Sequence, residues 1–504
     1  MDLDTLLSYK WGAMAPEFII LGASVLLSLL DLFLPKTYKR NSLAWFALAG
    51  VILALISLGT LISGGTVSIL NNTFRLDSFS IAFKFILLLG SALVILIAHS
   101  YQPKEGFRAF RGEFYYLFLT GLLGAMFMAS SGDLITLFVG LELLSVSSYI
   151  LAGMRKTSQE SNEAAMKYVI NGGIATAITL FGMSYLYGLS GTTNISEMAK
   201  IMSGQAAEHQ YLYLYGLAFF MVLIGLSFKI AAAPFHMWAP DVYQGSPTPV
   251  ASYLSVISKT AGFILLLRLI LTLFLTIPGD KADLSFLEQN STYIGCLAGI
   301  TIIAGNVAAL RQRNIKRMFA YSSIAQAGYI LAGITALGYF TFDAVWFYLL
   351  AYVFMNLGAF AVIQLMTDQS NSGDISEFAG LYRRSPVAAL SFSIFLLSLA
   401  GIPGTAGFIG KLTIFMNTLM TEPGHFLLAS LMIAGTVISY FYYFGIMVQM
   451  FFRPQAAEGR VVLPAGIGAV VMIALAGTLI LGLAPNSAFT FLHHNFGSFN
   501  DFLK

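Results

Sequence analysis

The sequence predicts an all-α polytopic membrane protein with about fourteen transmembrane helices. Of its 504 residues, 57% are hydrophobic and only 10% are charged, whereas soluble globular chains carry roughly 25% charged residues. Apolar runs of about 18 to 25 residues recur along the whole chain, and each is long enough to cross a bilayer core of about 30 Å as a helix. A transmembrane barrel would instead show alternating segments of about ten residues. Composition and run length therefore exclude a soluble fold.

Charge clusters and Gly or Pro breaks bound the apolar runs, and they define fourteen predicted spans, numbered 1 to 14 in chain order. The spans are 16–34, 42–63, 76–99, 114–130, 133–153, 165–190, 212–238, 249–277, 292–310, 318–338, 343–367, 387–420, 426–451 and 463–484. The acidic N-terminus lacks the basic region and cleavage site of a secretory signal, so the first run is expected to stay in the protein.

The distribution of Lys and Arg predicts the orientation. The odd-numbered loops hold seventeen basic residues, and the even-numbered loops and termini hold five. The positive-inside rule then places the odd loops in the cytoplasm and both termini on the outer side. The residues of the odd loops are Lys36, Lys39, Arg40, Lys104, Arg108, Arg111, Arg155, Lys156, Lys167, Arg311, Arg313, Lys316, Arg317, Arg383, Arg384, Arg453 and Arg460. Those of the even loops and termini are Lys10, Arg75, Lys200, Lys281 and Lys504.

Five basic residues fall inside predicted spans: Lys84, Lys229, Lys259, Arg268 and Lys411. A Lys or Arg at a helix centre costs roughly 2.5 to 3.5 kcal/mol on insertion scales, so the three deepest lysines, Lys229, Lys259 and Lys411, together cost about 9 kcal/mol. That cost is comparable to the net stability of a domain, and we infer that function retains them. Lys84 and Arg268 lie nearer to helix ends, and we expect them to extend to the membrane interface.

Lys229 lies five residues before Pro234 in span 7. Because Pro234 has no amide hydrogen for the carbonyl of Ile230, the helix is expected to bend or unwind beside Lys229. Irregular backbone at membrane depth is tolerated where it is buried or lines a water-filled cavity. A charge at a helix break therefore indicates an ion pathway; the alternative is a lysine tethered by an ion pair. Span 12 repeats the combination with Pro403 and Lys411, as in the repeats of many ion-coupled transporters.

Glu142 lies nine residues into span 5, about 13 Å deep, and Lys229 is the cation expected to pair with it. A change at Glu142 would then alter how Lys229 holds its proton. Asp133, at the start of the same span, either caps the helix or handles protons. Lys259, in span 8, is either a relay towards the second half of the chain or a lysine bound by backbone carbonyls. His236 is either a proton shuttle or a structural histidine.

Composition also limits the other function classes. Cys296 is the single cysteine, and an iron–sulfur cluster takes about four thiolates, so electron transfer is expected in other polypeptides. The formal charge of +3 and the lack of a basic block argue against nucleic acid. The glycines of 401–410 follow no strand and do not predict a phosphate loop. The adjacent His493 and His494 do not predict a metal site.

Six stretches of the sequence carry motifs of a known family: residues 228–250, 140–143, 314–317, 321–324, 399–403 and 407–411. They resemble the antiporter-like subunits of respiratory complex I. The resemblance covers nearly the whole chain and implies two inverted five-helix repeats with broken helices 7 and 12. It divides the chain into an N-terminal three-helix segment 1–113, a first half 114–280 with spans 4 to 8, a second half 281–452 with spans 9 to 13, and a segment 453–504 with span 14 and a tail.

The resemblance also implies residue roles. Glu142 and Lys229 would form the paired switch, Lys259 the connecting lysine and Lys411 the terminal lysine of the second half-channel; one sister subunit has a glutamate at that last position. The implied function is proton pumping across a bacterial inner (cytoplasmic) membrane, driven by quinone reduction. Flavin, iron–sulfur clusters and quinone would lie in other subunits, with no cofactor or metal in this chain. The implied partners are other membrane subunits, including sister antiporter-like subunits, the lipid bilayer and protons, without nucleic acid.

Three other functions remain open at this point. Multi-subunit cation/proton antiporters share the fold and the paired Glu and Lys, and ferredoxin-linked complexes use similar subunits. A structural scaffold that carries no ion is the third. Proton and sodium both remain open as the transported ion, because no oxygen cage for sodium is recognisable.

Overall fold

The computed structural model describes residues 3–35, 37–102, 110–207, 211–279, 284–338, 340–422, 424–455, 459–497, 499 and 501–502. Helices lie over all fourteen predicted spans, and the all-α polytopic class is confirmed. In order, the spans are Ala15–Phe33, Leu43–Thr60, Ser78–Ser100, Arg111–Ser130, Leu134–Ala152, Gln159–Ser190, Leu212–Ile230, Thr248–Phe274, Phe286–Ala309, Ile315–Thr335, Thr341–Ser370, Pro386–Ala400 with Ala406–Met420, Phe426–Phe452 and Ala465–Leu483. Lys36, Lys104, Arg108, Lys281 and Lys504 of the charge count lie outside the described residues.

Twelve of the described helices are long and apolar enough to cross a membrane. Span 10 is long enough but less apolar, and span 12 consists of two shorter apolar helices. Spans 8 and 11 are buried along almost their whole length, whereas fewer than half of the residues of spans 1, 6 and 13 are buried. The centre of the protein therefore lies along spans 8 and 11, and a charge there must find its partner inside the protein.

Short elements join the spans. Two strands, Val67–Ile69 and Phe74–Leu76, pair antiparallel between spans 2 and 3, a small exception to the all-α prediction. Strands of three residues are too short for an alternating pattern to reveal them. The additional helices are Leu3–Ser8, Ile195–Ala207, Trp238–Gly245, Leu381–Arg384 and Pro485–Phe496.

Two loops with the same local structure reveal the internal repeat. Residues 190–197 follow span 6 and contain the sequence Asn-Ile-Ser-Glu, and residues 370–377 follow span 11 and contain Asp-Ile-Ser-Glu. Each span ends at a residue of positive φ, Gly191 at 71° or Asn371 at 55°. In both loops the serine before that residue donates its hydroxyl to the carbonyl two positions later.

Each loop then pairs with the start of another span of its own half. The Leu134 amide of span 5 donates to the Thr193 carbonyl at 2.9 Å, and the Ile315 amide of span 10 donates to the Gly373 carbonyl at 2.7 Å. Spans 4 to 8 and spans 9 to 13 therefore follow one plan. Because each repeat has five crossings, an odd number, the second repeat enters the membrane from the opposite side, which inverts it.

Spans 7 and 12 are both broken, as predicted. In span 7, Ala231 has a φ of 57° and the next amide donates to the Ser227 carbonyl at 2.8 Å. In span 12, Gly401 has a φ of 85° and the next amide donates to the Leu397 carbonyl at 3.0 Å. Both are Schellman-type helix ends, and a proline follows within three residues. The left-handed conformation costs Ala231 about 1 kcal/mol, which glycine avoids.

The expectation that Lys84 and Arg268 extend to the membrane interface is wrong. Lys84 of span 3 is fully buried, and its Nζ lies 2.5 Å from a carboxylate oxygen of Glu17 in span 1. The Arg268 guanidinium of span 8 donates to both carboxylate oxygens of Asp77, at 2.5 and 2.8 Å. Distance from a helix end did not decide the outcome, because another span supplies a carboxylate to each charge.

Candidate functional site

Each of the three deep lysines lies beside an irregular stretch of helix. Lys229 is the penultimate residue of span 7, next to the break. Lys259 directly follows a π-helical turn, Leu254–Ser258, within span 8, and such turns are frequent at functional sites. Lys411 lies on the second helix of span 12. The exposed fractions of Lys229, Lys259 and Lys411 are 4%, 3% and 7%, so protein groups must meet their charges.

In the first half, a hydroxyl holds Lys229. Its Nζ donates to Ser145 Oγ at 3.0 Å, and Ser145 lies one helical turn after Glu142 on span 5. Glu142 accepts a hydrogen bond of 2.9 Å from Thr176 of span 6 and acts on Lys229 through its charge. The expected close ion pair is not among the contacts of the described residues: Ser145 takes the place that a carboxylate would fill.

Glu142 lies at the edge of an exposed surface. It is half-buried, and the same helix exposes about half of Val139 and of Val146, at 54% and 49%. Those apolar side chains lie one turn before and one turn after the carboxylate, so this face of span 5 points away from the protein. A carboxylate in such a position is costly in lipid, which favours a protein neighbour there.

Lys259 lies at the centre, between the two halves. Its Nζ donates to the Ser323 carbonyl of span 10 at 2.7 Å, so the alternative of a lysine bound by a backbone carbonyl describes its contact correctly. The hydroxyls of Tyr243 and Tyr352 lie against Ser323. These three hydroxyls are buried and make no hydrogen bond of standard geometry to any described residue. Clusters of this kind are the usual partners of internal water.

Carbonyls freed at the second break hold Lys411. Its side chain folds back from the second helix of span 12, and Nζ donates to the carbonyls of Leu399 and Ala400 at 2.9 and 3.1 Å. The Tyr329 ring lies on another side of the ammonium, with its centroid 4.7 Å from Nζ, close enough for a cation–π interaction. The Schellman turn at Gly401 leaves such carbonyls without helical partners, and the lysine supplies the missing donor.

Comparisons with known proteins agree on one family. Residues 131–439 match the family described as NADH:quinone oxidoreductase/Mrp antiporter, transmembrane. A Geobacillus protein named NADH-quinone oxidoreductase subunit N is 60% identical over 493 residues, which cover 98% of this chain and 100% of that protein. The chain belongs to this family. The resemblance of its motifs to the antiporter-like subunits of respiratory complex I is therefore confirmed.

Chains of two solved membrane complexes have the same fold. A chain of respiratory complex I from Thermus thermophilus with bound aureothin is 32% identical, with a TM-score of 0.76 over 94% of this chain and 97% of that one. A chain of the Mrp complex from Dietzia is 19% identical, with a TM-score of 0.82 over 98% of each chain. At that identity, the second likeness concerns the fold alone.

The two remaining candidate residues of this antiporter-like subunit make no hydrogen bond to the three lysines in the part of the chain that the structure describes, although the charge of Lys259 acts on His236. Asp133 caps span 5 by accepting hydrogen bonds from the amides of Ile135 and Thr136 at 2.8 and 3.2 Å, so the capping alternative is confirmed. His236 is half-buried beyond the break of span 7, with its ring centroid 6.5 Å from that of Tyr321. His236 touches none of the three lysines among the described hydrogen bonds.

A cavity of about 430 Å³ opens among the odd-numbered loops of this subunit. Lys316 lines it and donates to the Ser246 carbonyl at 2.9 Å. The buried hydroxyls of Ser246 and Tyr243 follow within one turn, and Tyr243 lies against Ser323, whose carbonyl holds Lys259. A line of polar groups thus leads from the cavity to Lys259. Sequence reasoning missed it because isolated Ser and Tyr residues carry no pattern.

Proposed function

We propose that this antiporter-like subunit moves protons across the membrane in an NADH-quinone oxidoreductase and carries out no redox chemistry itself. Protons enter from the cytoplasmic side, pass along Lys229, Lys259 and Lys411, and leave on the outer side. One observation carries the proposal: each of these buried lysines lies beside a helix break or a π turn, and within the described part of the chain each donates hydrogen bonds only to neutral oxygen atoms. No ion pair among the described residues includes any of these three lysines.

Neutral partners allow an amine to lose and regain its proton. A carboxylate in contact favours the charged amine, as for Lys84 beside Glu17, and that lysine lies outside the proposed path. Hydroxyl and carbonyl oxygens stabilise the protonated amine less than a carboxylate does, and burial disfavours its positive charge. After releasing a proton, the amine still has two hydrogens to donate to the same oxygens. Proton transfer at Lys229, Lys259 and Lys411 therefore requires little rearrangement.

Glu142 is the proposed switch. Its charge acts on Lys229 across Ser145, and its half-exposed position lets a neighbouring subunit act on it. Quinone reduction elsewhere would change the charge or position of that neighbour, and the Lys229 proton would then move towards Lys259. A change of about 3 kcal/mol alters the occupancy of a proton site more than a hundredfold, at about 1.4 kcal/mol per factor of ten.

The cavity beside Lys316 is the route proposed for protons that join the path at Lys259, in addition to those that pass through Lys229. It opens on the side that the positive-inside rule places in the cytoplasm, and polar groups continue from it to Lys259. In this scheme residues 114–280 and 281–452 form two half-channels that share the central lysine. The proposed location is a bacterial inner membrane, with both termini on the outer side.

The redox groups would lie in other subunits of the complex, and those subunits would be the partners of this chain. Flavin, iron–sulfur clusters and quinone would lie there, and this chain, with its single cysteine, would bind no cofactor. The exposed apolar faces of spans 5 and 6, which include Val139, Val146, Val169 and Ile174, would contact other membrane subunits of the complex, including sister antiporter-like subunits.

The second candidate is a subunit of a multi-subunit cation/proton antiporter, and the shared fold with a chain of the Mrp complex favours it. Antiport of sodium against protons in vesicles that contain only this chain would support that function. A ferredoxin-linked complex would place the same proton path under another electron donor, and reduction of quinone by ferredoxin rather than NADH would identify it.

Lys229→Ala in the assembled complex tests the proposal. In inverted membrane vesicles, the ratio of protons pumped to electrons transferred should fall sharply, because the entry amine is gone. Lys200→Ala, at an exposed lysine of an even loop, is the matched control and should pump normally. A normal ratio in Lys229→Ala, Lys259→Ala and Lys411→Ala alike would reject proton translocation by this chain and favour a scaffold.

A further inference from the structure

Polar side chains from three spans fill the space between Lys259 and Lys411. Gln326 of span 10 is buried, with 2% of its surface exposed. Its amide nitrogen donates to the Leu399 carbonyl at 3.1 Å, the same carbonyl that accepts from Lys411 at 2.9 Å. On the same helix, three positions earlier, the Ser323 carbonyl holds Lys259 at 2.7 Å. One face of span 10 therefore contacts the partners of both lysines.

Two tyrosines complete this set. Tyr348 of span 11 donates its hydroxyl to the amide oxygen of Gln326. The Tyr443 hydroxyl of span 13 lies 2.5 Å from Ser322 Oγ and 3.5 Å from the Gln326 amide nitrogen. Ser322 is adjacent to Ser323, where Lys259 binds. Hydroxyl and amide groups thus lie between the partners of the central and the terminal lysine, and Gln326 hydrogen-bonds to Tyr348, to Tyr443 and to the Leu399 carbonyl.

The internal repeat gives independent support for a role at position 326. Asp133 caps span 5 and Asn314 caps span 10 in the same loop structure. Twelve residues after each cap stand Ser145 and Gln326. Ser145 accepts a hydrogen bond from Lys229. Gln326 donates to the Leu399 carbonyl, which also accepts a hydrogen bond from Lys411. The same position of the repeat thus lies at the lysine of each half.

We propose that Gln326 joins Lys259 to Lys411 by holding the hydroxyls of Tyr348 and Tyr443 and the Leu399 carbonyl in one hydrogen-bonded network. The inference rests on the proposed function, and Gln326 acts as a positioning residue. In this step one proton leaves the Lys259 ammonium and another reaches the neutral Lys411 amine, because each hydroxyl between them accepts a hydrogen from one side and gives up its own to the other. No covalent bond to carbon changes, and rotation of the hydroxyls restores the starting state.

Gln326→Leu tests the proposal in the assembled complex, because leucine has a similar volume and neither donor nor acceptor. The ratio of protons pumped to electrons transferred should fall at least twofold. The matched control is Gln364→Leu on span 11, where a buried amide donates to the Ile97 carbonyl at 2.8 Å away from the lysines. That variant should keep the wild-type ratio. Gln326→His, which has both a donor and an acceptor, should restore most of the pumping.

The outcomes separate this inference from the proposed function. A wild-type ratio in Gln326→Leu, or an equal loss in Gln326→Leu and Gln364→Leu, would overturn the role of Gln326. Equal loss in the leucine and histidine variants would also overturn it, because packing rather than hydrogen bonding would then explain both. If Lys229→Ala loses pumping while Gln326→Leu does not, only this inference fails. If Gln326→Leu and all three lysine-to-alanine variants pump normally, the proposed function fails with it.

Discussion

The two halves of the protein hold their lysines differently, although they share one backbone plan. Lys229 precedes the break of span 7 and donates to the hydroxyl of Ser145. Lys411 follows the break of span 12 and folds back onto the carbonyls of Leu399 and Ala400. The same type of helix end thus accommodates a lysine from either side. A break determines where a charge can be held, and the flanking sequence determines which residue supplies it.

The halves also differ at one corresponding position, which holds a carboxylate in the first half and a serine in the second. Nine residues after the capping residue of span 5 stands Glu142, and nine residues after the capping residue of span 10 stands Ser323. The first half therefore has a carboxylate at an exposed edge, whereas the second half has a buried serine whose carbonyl binds Lys259. Under the proposed function, the difference would make the first half responsive to a neighbouring subunit and the second half dependent on its internal hydrogen bonds.

The largest expected effect comes from Lys411→Arg, which keeps the charge of the second half but cannot release a proton under these conditions. We expect proton pumping to fall more than tenfold, as measured by dye quenching in inverted vesicles during NADH oxidation. Lys200→Arg serves as the control. Normal pumping in Lys411→Arg would show that the terminal site needs only a positive charge.

Glu142→Gln should have the next largest effect, a several-fold loss of coupled turnover, because it removes the negative charge that acts on Lys229. Asp133 cannot substitute, since its carboxylate is engaged with two amides at the start of span 5. Glu163→Gln, at a more exposed carboxylate of span 6, is the matched control. Equal turnover in the two variants would contradict the assignment of Glu142 as the switch.

Ser145→Ala sharpens the comparison at the level of a single hydrogen bond. Loss of a hydrogen bond of about 0.5 to 1.5 kcal/mol should slow coupled turnover about two- to tenfold. Ser148→Ala on the same helix is the control, because that hydroxyl donates to its own helix at the Leu144 carbonyl at 2.6 Å. A similar slowing in both variants would point to packing of span 5 and not to the contact with Lys229.

The smallest effect should come from Asp241→Asn, which weakens a contact between the halves. Asp241 pairs with Lys167 of span 6 at 2.5 Å and with Arg317 of span 10. Burial raises the pKa of Asp241, but the hydrogen bonds from Lys167 and Arg317 outweigh it and hold the pKa below its usual value. The pairs are partly exposed, so the variant should lose about 1 kcal/mol of stability.

The pH dependence of that loss follows from the lowered pKa. The stabilisation is complete above the unfolded pKa of about 4 and disappears as the pH falls through the folded value. Thermal unfolding of the solubilised complex should therefore separate Asp241→Asn from wild type at neutral pH, and the difference should shrink as the pH falls below about 4. A difference that grows on acidification would contradict the role of the carboxylate.

Hydropathy predicted the spans well because every helix must fill the same bilayer thickness. Proline marked both breaks, since the missing amide hydrogen is a property of the residue itself. Apart from the family resemblance, the repeat was suggested by the proline and lysine that spans 7 and 12 share, although the shared loop sequences at 194–197 and 374–377 carry a clearer signal. Features that a residue or a local pattern determines were therefore accessible from sequence.

The partners of the charges were less predictable, because they depend on which helices pack together. Nothing in the sequence near Lys229 points to Ser145, which lies 84 positions earlier. Lys84 and Arg268 were predicted to reach the membrane interface because the carboxylates that pair with them, Glu17 and Asp77, come from distant segments. Gln326 also lacked any signal, since one amide in an apolar run is as compatible with packing as with function.

The contact between Asp501 and the start of span 3 bears on how the protein is made. Arg75 donates to the Asp501 carbonyl across 426 positions, and the Phe502 ring lies 5.0 Å from the guanidinium carbon of Arg268. During translation these arginines leave the ribosome long before their last partners are synthesised. The cluster can close only after residues 501 and 502 have been synthesised, so a product interrupted before them would leave both arginines without these contacts.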